Sequence, residues 1–140
     1  MRRLFLAACL LLVCTQAYAA LFIYANRAWM TTATSGTGTI TLGVAVPGYA
    51  TFAESGIADG NRVTYVITEG SDFEVGTGIY TSAGTTLSRD TVYLSKIAGT
   101  AGTSKMNLAA NAKVFLTPSK VDLNPAISDP SFAHATQGGL

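Results

Sequence analysis

Three features of the sequence predict an all-β fold. Apolar residues recur at every second position in several separate stretches, which is the period of a half-buried strand. Thr and Gly are abundant, with 14 glycines in 140 residues, a composition suited to strands and tight turns. Turn-forming clusters separate the stretches at short intervals. The expected architecture is a small antiparallel β-sandwich or open barrel with one short helix near Tyr49 to Ser55, preceded by a hydrophobic signal-like helix.

Length and composition set the scale. With 49% hydrophobic residues, the chain suits one domain around a single core. Both cysteines, Cys9 and Cys14, fall in the first twenty residues, so the body holds no disulfide framework or cysteine metal site. The formal net charge is +1. Without Arg2 and Arg3, seven basic residues face eight acidic ones. Neither balance provides the clustered basic face that phosphate binding needs, so no nucleic-acid partner is expected.

The chain divides into residues 1–19, 20–120 and 121–140. Arg2 and Arg3 precede an apolar run from Leu4 to Cys14, too short to span a bilayer comfortably, and Ala17-Tyr18-Ala19 supplies small residues for peptidase cleavage. This is a signal-peptide pattern, with no stable membrane anchoring expected. Leu6-Ala7-Ala8-Cys9 has the look of a lipoprotein box but lacks an apolar stretch ahead of the cysteine. A start codon placed too far upstream is the other reading of the segment.

Beyond it, Asn26-Arg27 interrupts an apolar run, and Trp29, the single tryptophan, is a candidate for core or interface packing. Gly36 and Gly38 sit in a polar turn that lacks the third glycine and the lysine of a phosphate loop. Thr39 to Val46 alternates, with Ile40, Leu42, Val44 and Val46 on one face, and Pro47-Gly48 ends it. Asp59-Gly60-Asn61 is a turn. Arg62 to Thr68 places Val63, Tyr65 and Ile67 on one face, and Glu69-Gly70-Ser71 turns the chain into Asp72 to Thr81. There Phe73, Val75, Thr77 and Ile79 are assigned inward and Asp72, Glu74, Gly76 and Gly78 outward. Thr91 to Ile97 is a further strand, Ala98 to Ser104 a glycine-rich loop, and Met106 and Leu108 return to the core. Ala112 to Thr117 is the last strand, stopped by Pro118. The expected core is Ile40, Leu42, Val63, Tyr65, Ile67, Val75, Val92, Val114 and Leu116. From residue 121 the period disappears, and Ile127, Phe132 and Leu140 join Trp29 as candidate interface residues in a flexible or partner-docking tail.

Few residues point to chemistry. His134 is the sole histidine and lies in the tail, away from any rigid element that would orient a triad. Asp72 and Glu74 share one strand face, as the two carboxylates of a glycosidase do, but solvated neighbouring carboxylates are far commoner. Asp59, Asp72 and Asp90 have no calcium-loop spacing. Arg27, Arg62 and Arg89 are expected to cover strand edges or pair with carboxylates. No catalytic residue, cofactor or metal is assigned.

The order of the pieces resembles a small β-rich domain found in tail-fibre and virion structural proteins of tailed bacteriophages. The resemblance is carried by Asn26-Arg27, Thr31-Thr32, the run from Thr34 to Leu42, Gly48, Phe52, Asp59-Gly60 and Tyr65. It continues through Phe73-Glu74-Val75-Gly76, Gly78, Tyr80-Thr81, Leu87-Ser88-Arg89, Val92, Val114-Phe115 and Thr117-Pro118. It departs at Phe73, usually Trp in that pattern, and at Ala28-Trp29-Met30, where more polar residues are usual. Both chain ends are additions to the pattern. The resemblance implies a non-enzymatic virion protein, tail or fibre associated or decorating the head, that packs against other virion subunits and against copies of itself, with a homotrimer as the expected state. The virion is then its location. The alternative is a secreted or periplasmic bacterial β-sandwich binding module, which takes the signal-like segment at face value.

Overall fold

A computed structural model describes residues 23–119 and Asp122. The signal-like segment and the tail residues Ile127, Phe132, His134 and Leu140 lie outside the described residues. Among the described residues ten strands run in chain order: β1 (Trp29–Thr32), β2 (Ser35–Gly36), β3 (Ile40–Ala45), β4 (Arg62–Glu69), β5 (Asp72–Thr81), β6 (Thr86–Leu87), β7 (Thr91–Ile97), β8 (Thr100–Gly102), β9 (Leu108–Ala109) and β10 (Ala112–Leu116). Neighbours follow the order β4-β10-β1-β3-β6-β5-β7-β8, and β4 also pairs with β5. That extra pairing closes β4, β10, β1, β3, β6 and β5 into a six-stranded antiparallel barrel, which replaces the expected sandwich or open barrel. Strands β7 and β8 extend one side as a flap, and β2 pairs with β9 in a short separate ribbon.

The interior is filled from every barrel strand. Met30, Ile40, Leu42, Val63, Tyr65, Ile67, Tyr80, Leu87 and Val114 are all buried. Around Tyr80, Phe52 and Ile57 close one end, with the Phe52 and Tyr80 rings 5.8 Å apart. Met106 and Leu108 are buried near the other end, where Met106 meets Glu74. Of the expected core, Val75, Val92 and Leu116 are only half-buried.

The segment expected to be a helix is a run of turns from Phe52 to Gly56. Its start has the reciprocal bonds of a helix N-terminus: Thr51 N–H donates to Glu54 Oε2 at 2.8 Å and Glu54 N–H to Thr51 Oγ1 at 3.1 Å. One i→i+4 bond follows, from Ser55 N–H to Thr51 O, before Gly56 at φ 94° turns the chain away. The loop assigned to Ala98 to Ser104 contains β8, and β1 had no alternation long enough to reveal it.

Two register findings correct the sequence reading. In β3, Val44 is 72% exposed, because Met30 pairs with Ala45 and Thr32 with Leu42, leaving one extra residue in β3. This bulge shifts the side chains beyond it to the other face. Thr31 Oγ1 stabilises it by accepting from Val44 N–H and donating to Val44 O, both at 3.1 Å.

In β5 the faces are the reverse of those expected, although Thr77, expected to be inward, is buried all the same. Tyr65 pairs with Gly76, Ile67 with Glu74 and Val63 with Gly78, so Glu74, Gly76 and Gly78 point inward with Tyr80. A Cβ on Gly76 would come within 2.8 Å of the Tyr65 hydroxyl, and one on Gly78 within 1.8 Å of Ser88 O. The two glycines make room for a tyrosine ring and a crossing backbone.

Candidate functional site

Two places hold concentrated chemistry, one inside the barrel and one on its outer face. Inside, Glu74 and Arg89 are both buried, with side chains 0% exposed. Arg89, on the link between β6 and β7, donates from Nε to Glu74 Oε1 at 2.9 Å and from its terminal nitrogen to Glu74 Oε2. Tyr65 donates its hydroxyl to Glu74 Oε1 at 2.8 Å, and Met106 N–H donates to Oε2 at 2.7 Å. Arg89 also donates to Met106 O at 2.8 Å and to Gly36 O at 3.3 Å. Five segments, at Gly36, Tyr65, Glu74, Arg89 and Met106, are thereby held together. Burial, followed by the adjacent Glu74 carboxylate, pushes the Tyr65 phenol far above its ordinary value.

Both Glu74 oxygens accept two hydrogen bonds each and neither meets solvent, so no oxygen is left to take a substrate proton. A pair of solvent-facing carboxylates at Asp72 and Glu74 is therefore not formed. Asp72 accepts from Ala98 N–H at 3.0 Å, Asp59 from Ser82 N–H at 2.7 Å, and Asp90 pairs with Arg62 at 3.2 Å. Each carboxylate closes its own loop or strand edge. Among the described residues no three His, Cys, Asp or Glu side chains come together as a metal site, and no helix is long and apolar enough to cross a membrane.

The outer face is built by the side chains that inward-facing Glu74 and Gly76 leave outside. Cross-strand pairs run Trp29 to Phe115, Phe115 to Val66, Val66 to Val75 and Val75 to Leu94, one continuous apolar row across β1, β10, β4, β5 and β7. The neighbouring row holds Thr31, Lys113, Thr68, Phe73 and Lys96. Leu94 is 44% exposed. At the β1 end the Trp29 ring meets Tyr49 edge-on at 4.7 Å and Phe115 at 5.7 Å. Arg27 lies 4.9 Å over the Tyr49 ring and Lys113 5.8 Å over Trp29. These rings line an open cleft of about 220 Å³ between Arg27, Tyr49 and Leu116, below the usual range of about 300–1,000 Å³ for small-molecule sites. The Trp29 Nε1 donor is buried there without an acceptor.

Of the sequence-level candidates, the described residues contain Trp29 alone, and it sits at the head of this row. Phe115, Val66, Val75 and Leu94 were missed as its partners. The signal that finds them is cross-strand register, since they come from four different strands. Comparison with family models, with curated proteins and with solved structures gives no match.

Proposed function

We infer that this chain is a structural module that works by assembling with other protein subunits through the outer row. The observation that carries the reading is the row itself, with Trp, Tyr and Arg at one end and aliphatic and aromatic side chains continuing across five strands. Trp, Tyr and Arg are the residues most enriched among those that dominate binding energy at protein interfaces. The cleft between Arg27 and Leu116 has the scale of a socket for one partner side chain. A carbonyl from a partner that reached Trp29 Nε1 would also relieve a buried unpaired donor, a cost of about 1–3 kcal/mol. The fully bonded interior network is read as a clamp that keeps the face rigid.

The resemblance to tail-fibre and virion domains supplies the setting. In this reading the protein is a non-enzymatic virion component, with other virion subunits and copies of itself as its partners. Mass spectrometry of purified particles from the native source tests this directly. The chain is expected at a fixed ratio to the major capsid or tail protein. Its recovery only from the culture medium or periplasm, with none in particles, overturns the virion reading in favour of a secreted binding module.

A further inference from the structure

The open cleft at the head of the outer row is held in shape by the backbone around it. Val46 N–H donates to Trp29 O at 2.9 Å, Trp29 N–H to Ala50 O at 3.2 Å and Ala50 N–H to Arg27 O at 3.0 Å. Arg27 donates from a terminal nitrogen to Gly48 O at 2.9 Å, and Gly48 turns the chain there at φ 84°. Arg27 itself stands at φ 56°, a left-handed conformation that a non-glycine residue keeps only where its surroundings hold it. Three rings and a guanidinium are thus preset around one opening.

We propose that this cleft receives an acidic, aromatic anchor from a different subunit. One aromatic side chain of the partner segment seats against Trp29, Tyr49 and Phe115, and an adjacent Asp or Glu of the same segment pairs with Arg27. This rests on the reading of the outer row as an interaction surface and names the chemistry of what that surface binds.

Charge favours this occupant. Among the described residues the ion pairs are Arg62 with Asp90 and Arg89 with Glu74, so Arg27, Lys113 and Lys96 have no carboxylate. Arg27 and Lys113 lie over the Tyr49 and Trp29 rings, and neither outer row contains an Asp or Glu. A segment with carboxylates beside its aromatic ring is attracted to such a face, whereas the same face of a second copy brings cations against cations. The walls are rings already packed edge-on, and a further aromatic ring extends that packing.

Connectivity sets how the segment lies. Strands β1, β10, β4 and β5 are already paired on both sides, so the occupant binds through side chains rather than by adding a strand. The row runs on from Phe115 through Val66 and Val75 to Leu94. A segment that follows it continues past the cleft, so the carboxylate comes from a side chain within the segment rather than from a chain end. Trp29 Nε1 is buried without an acceptor, and a backbone carbonyl of the segment supplies one.

Trp29 is the only tryptophan, so its indole N–H gives a single cross-peak in the ¹⁵N-labelled full chain. That peak is followed while the capped tripeptides acetyl-Glu-Phe-Glu-amide, acetyl-Gln-Phe-Gln-amide and acetyl-Lys-Phe-Lys-amide are titrated in. The glutamate peptide is expected to shift the peak and to bind about three- to five-fold tighter than the glutamine peptide, the scale of an exposed charge pair, with the lysine peptide weakest. The preference should shrink at high salt and vanish in Arg27→Gln. The salt dependence is read on the unsubstituted protein, so the test stays decisive whatever Arg27→Gln does to the fold. Equal responses to the three peptides, no response to any, or a full preference retained in a folded Arg27→Gln overturns the proposal. A peak that moves with protein concentration alone also overturns it, because another copy then covers the cleft. So does a response to phosphatidylglycerol vesicles without one to the glutamate peptide, which makes the face a lipid-binding one. None of these results bears on whether the chain occurs in particles, so failure here is distinguishable from failure of the virion reading.

Discussion

The two faces of β5 differ in a way that side-chain polarity alone would assign backwards. Its inner face carries Glu74, Gly76, Gly78 and Tyr80, while Phe73 and Val75 stand outside in two adjoining rows. The difference shows that burial is decided by what the neighbouring strands supply. An isolated glutamate belongs in water, but Glu74 meets a guanidinium, a phenol and a backbone N–H. Glycine offers no apolar surface, yet opposite Tyr65 it is the residue that fits. The outer face gains its hydrophobic row as the counterpart of this arrangement.

Substitutions that attack the inner face should have the largest effects. Arg89→Leu leaves the Glu74 carboxylate buried without its cation and is expected to destabilise the protein by about 3–5 kcal/mol, measured by urea denaturation. Adding Glu74→Leu to that variant should restore part of the loss, because no unpaired charge then remains. Equal loss in the double and single variants would show that the pair is not coupled. Gly78→Ala forces a Cβ onto Ser88 O and should cost about 3 kcal/mol or more, visible as a lowered Tm. An unchanged Tm would mean that Gly78 faces outward.

Alkali gives a milder test of the same network. The Tyr65 phenol is held above its ordinary 10.0, so the folded state retains a proton that the unfolded chain gives up. Its contribution is complete below pH 10 and falls as the pH rises beyond that. Tyr65→Phe should flatten this alkaline decline in a stability profile against pH, at a cost of about 1–1.5 kcal/mol near neutrality for the lost hydrogen bond. On the outer face, Val75→Asp should cost only about 1 kcal/mol, reflecting partial burial and lower strand propensity. A loss of several kcal/mol in thermal melts would place Val75 back inside the core.

Most of the strand framework was legible in the sequence, since β3, β5, β7 and β10 fall within the predicted stretches and β4 overruns its stretch only by Glu69. Val63, Tyr65 and Ile67 declared their face through the two-residue period alone, and all three are buried. Glu74 did not, because its partners stand at Arg89, Tyr65 and Met106, and no local period encodes such distant pairings. Val44 was misplaced by a one-residue bulge, which shifts the period without a distinctive residue to mark it. Thr51 and Glu54 make the reciprocal bonds of a helix N-terminus, but Gly56 turns the chain away and the segment stays a run of turns. The outer site was legible only at Trp29. Its remaining members are ordinary strand residues until the register aligns them.

The closure of the barrel also dictates an order of events during synthesis. Strand β10 lies between β1 and β4 and pairs with both, yet among the described strands it is the last to leave the ribosome. Until Ala112 to Leu116 emerge, β1 and β4 each keep an open edge facing the gap, the kind of edge that recruits foreign strands. With translation proceeding at about 5–20 residues per second, the nascent chain passes through a state that has nearly all its ladders but not the one that seals them. Premature termination before Ala112 thus leaves a sheet with two sticky margins, whereas a chain cut just after Pro118 retains every barrel strand.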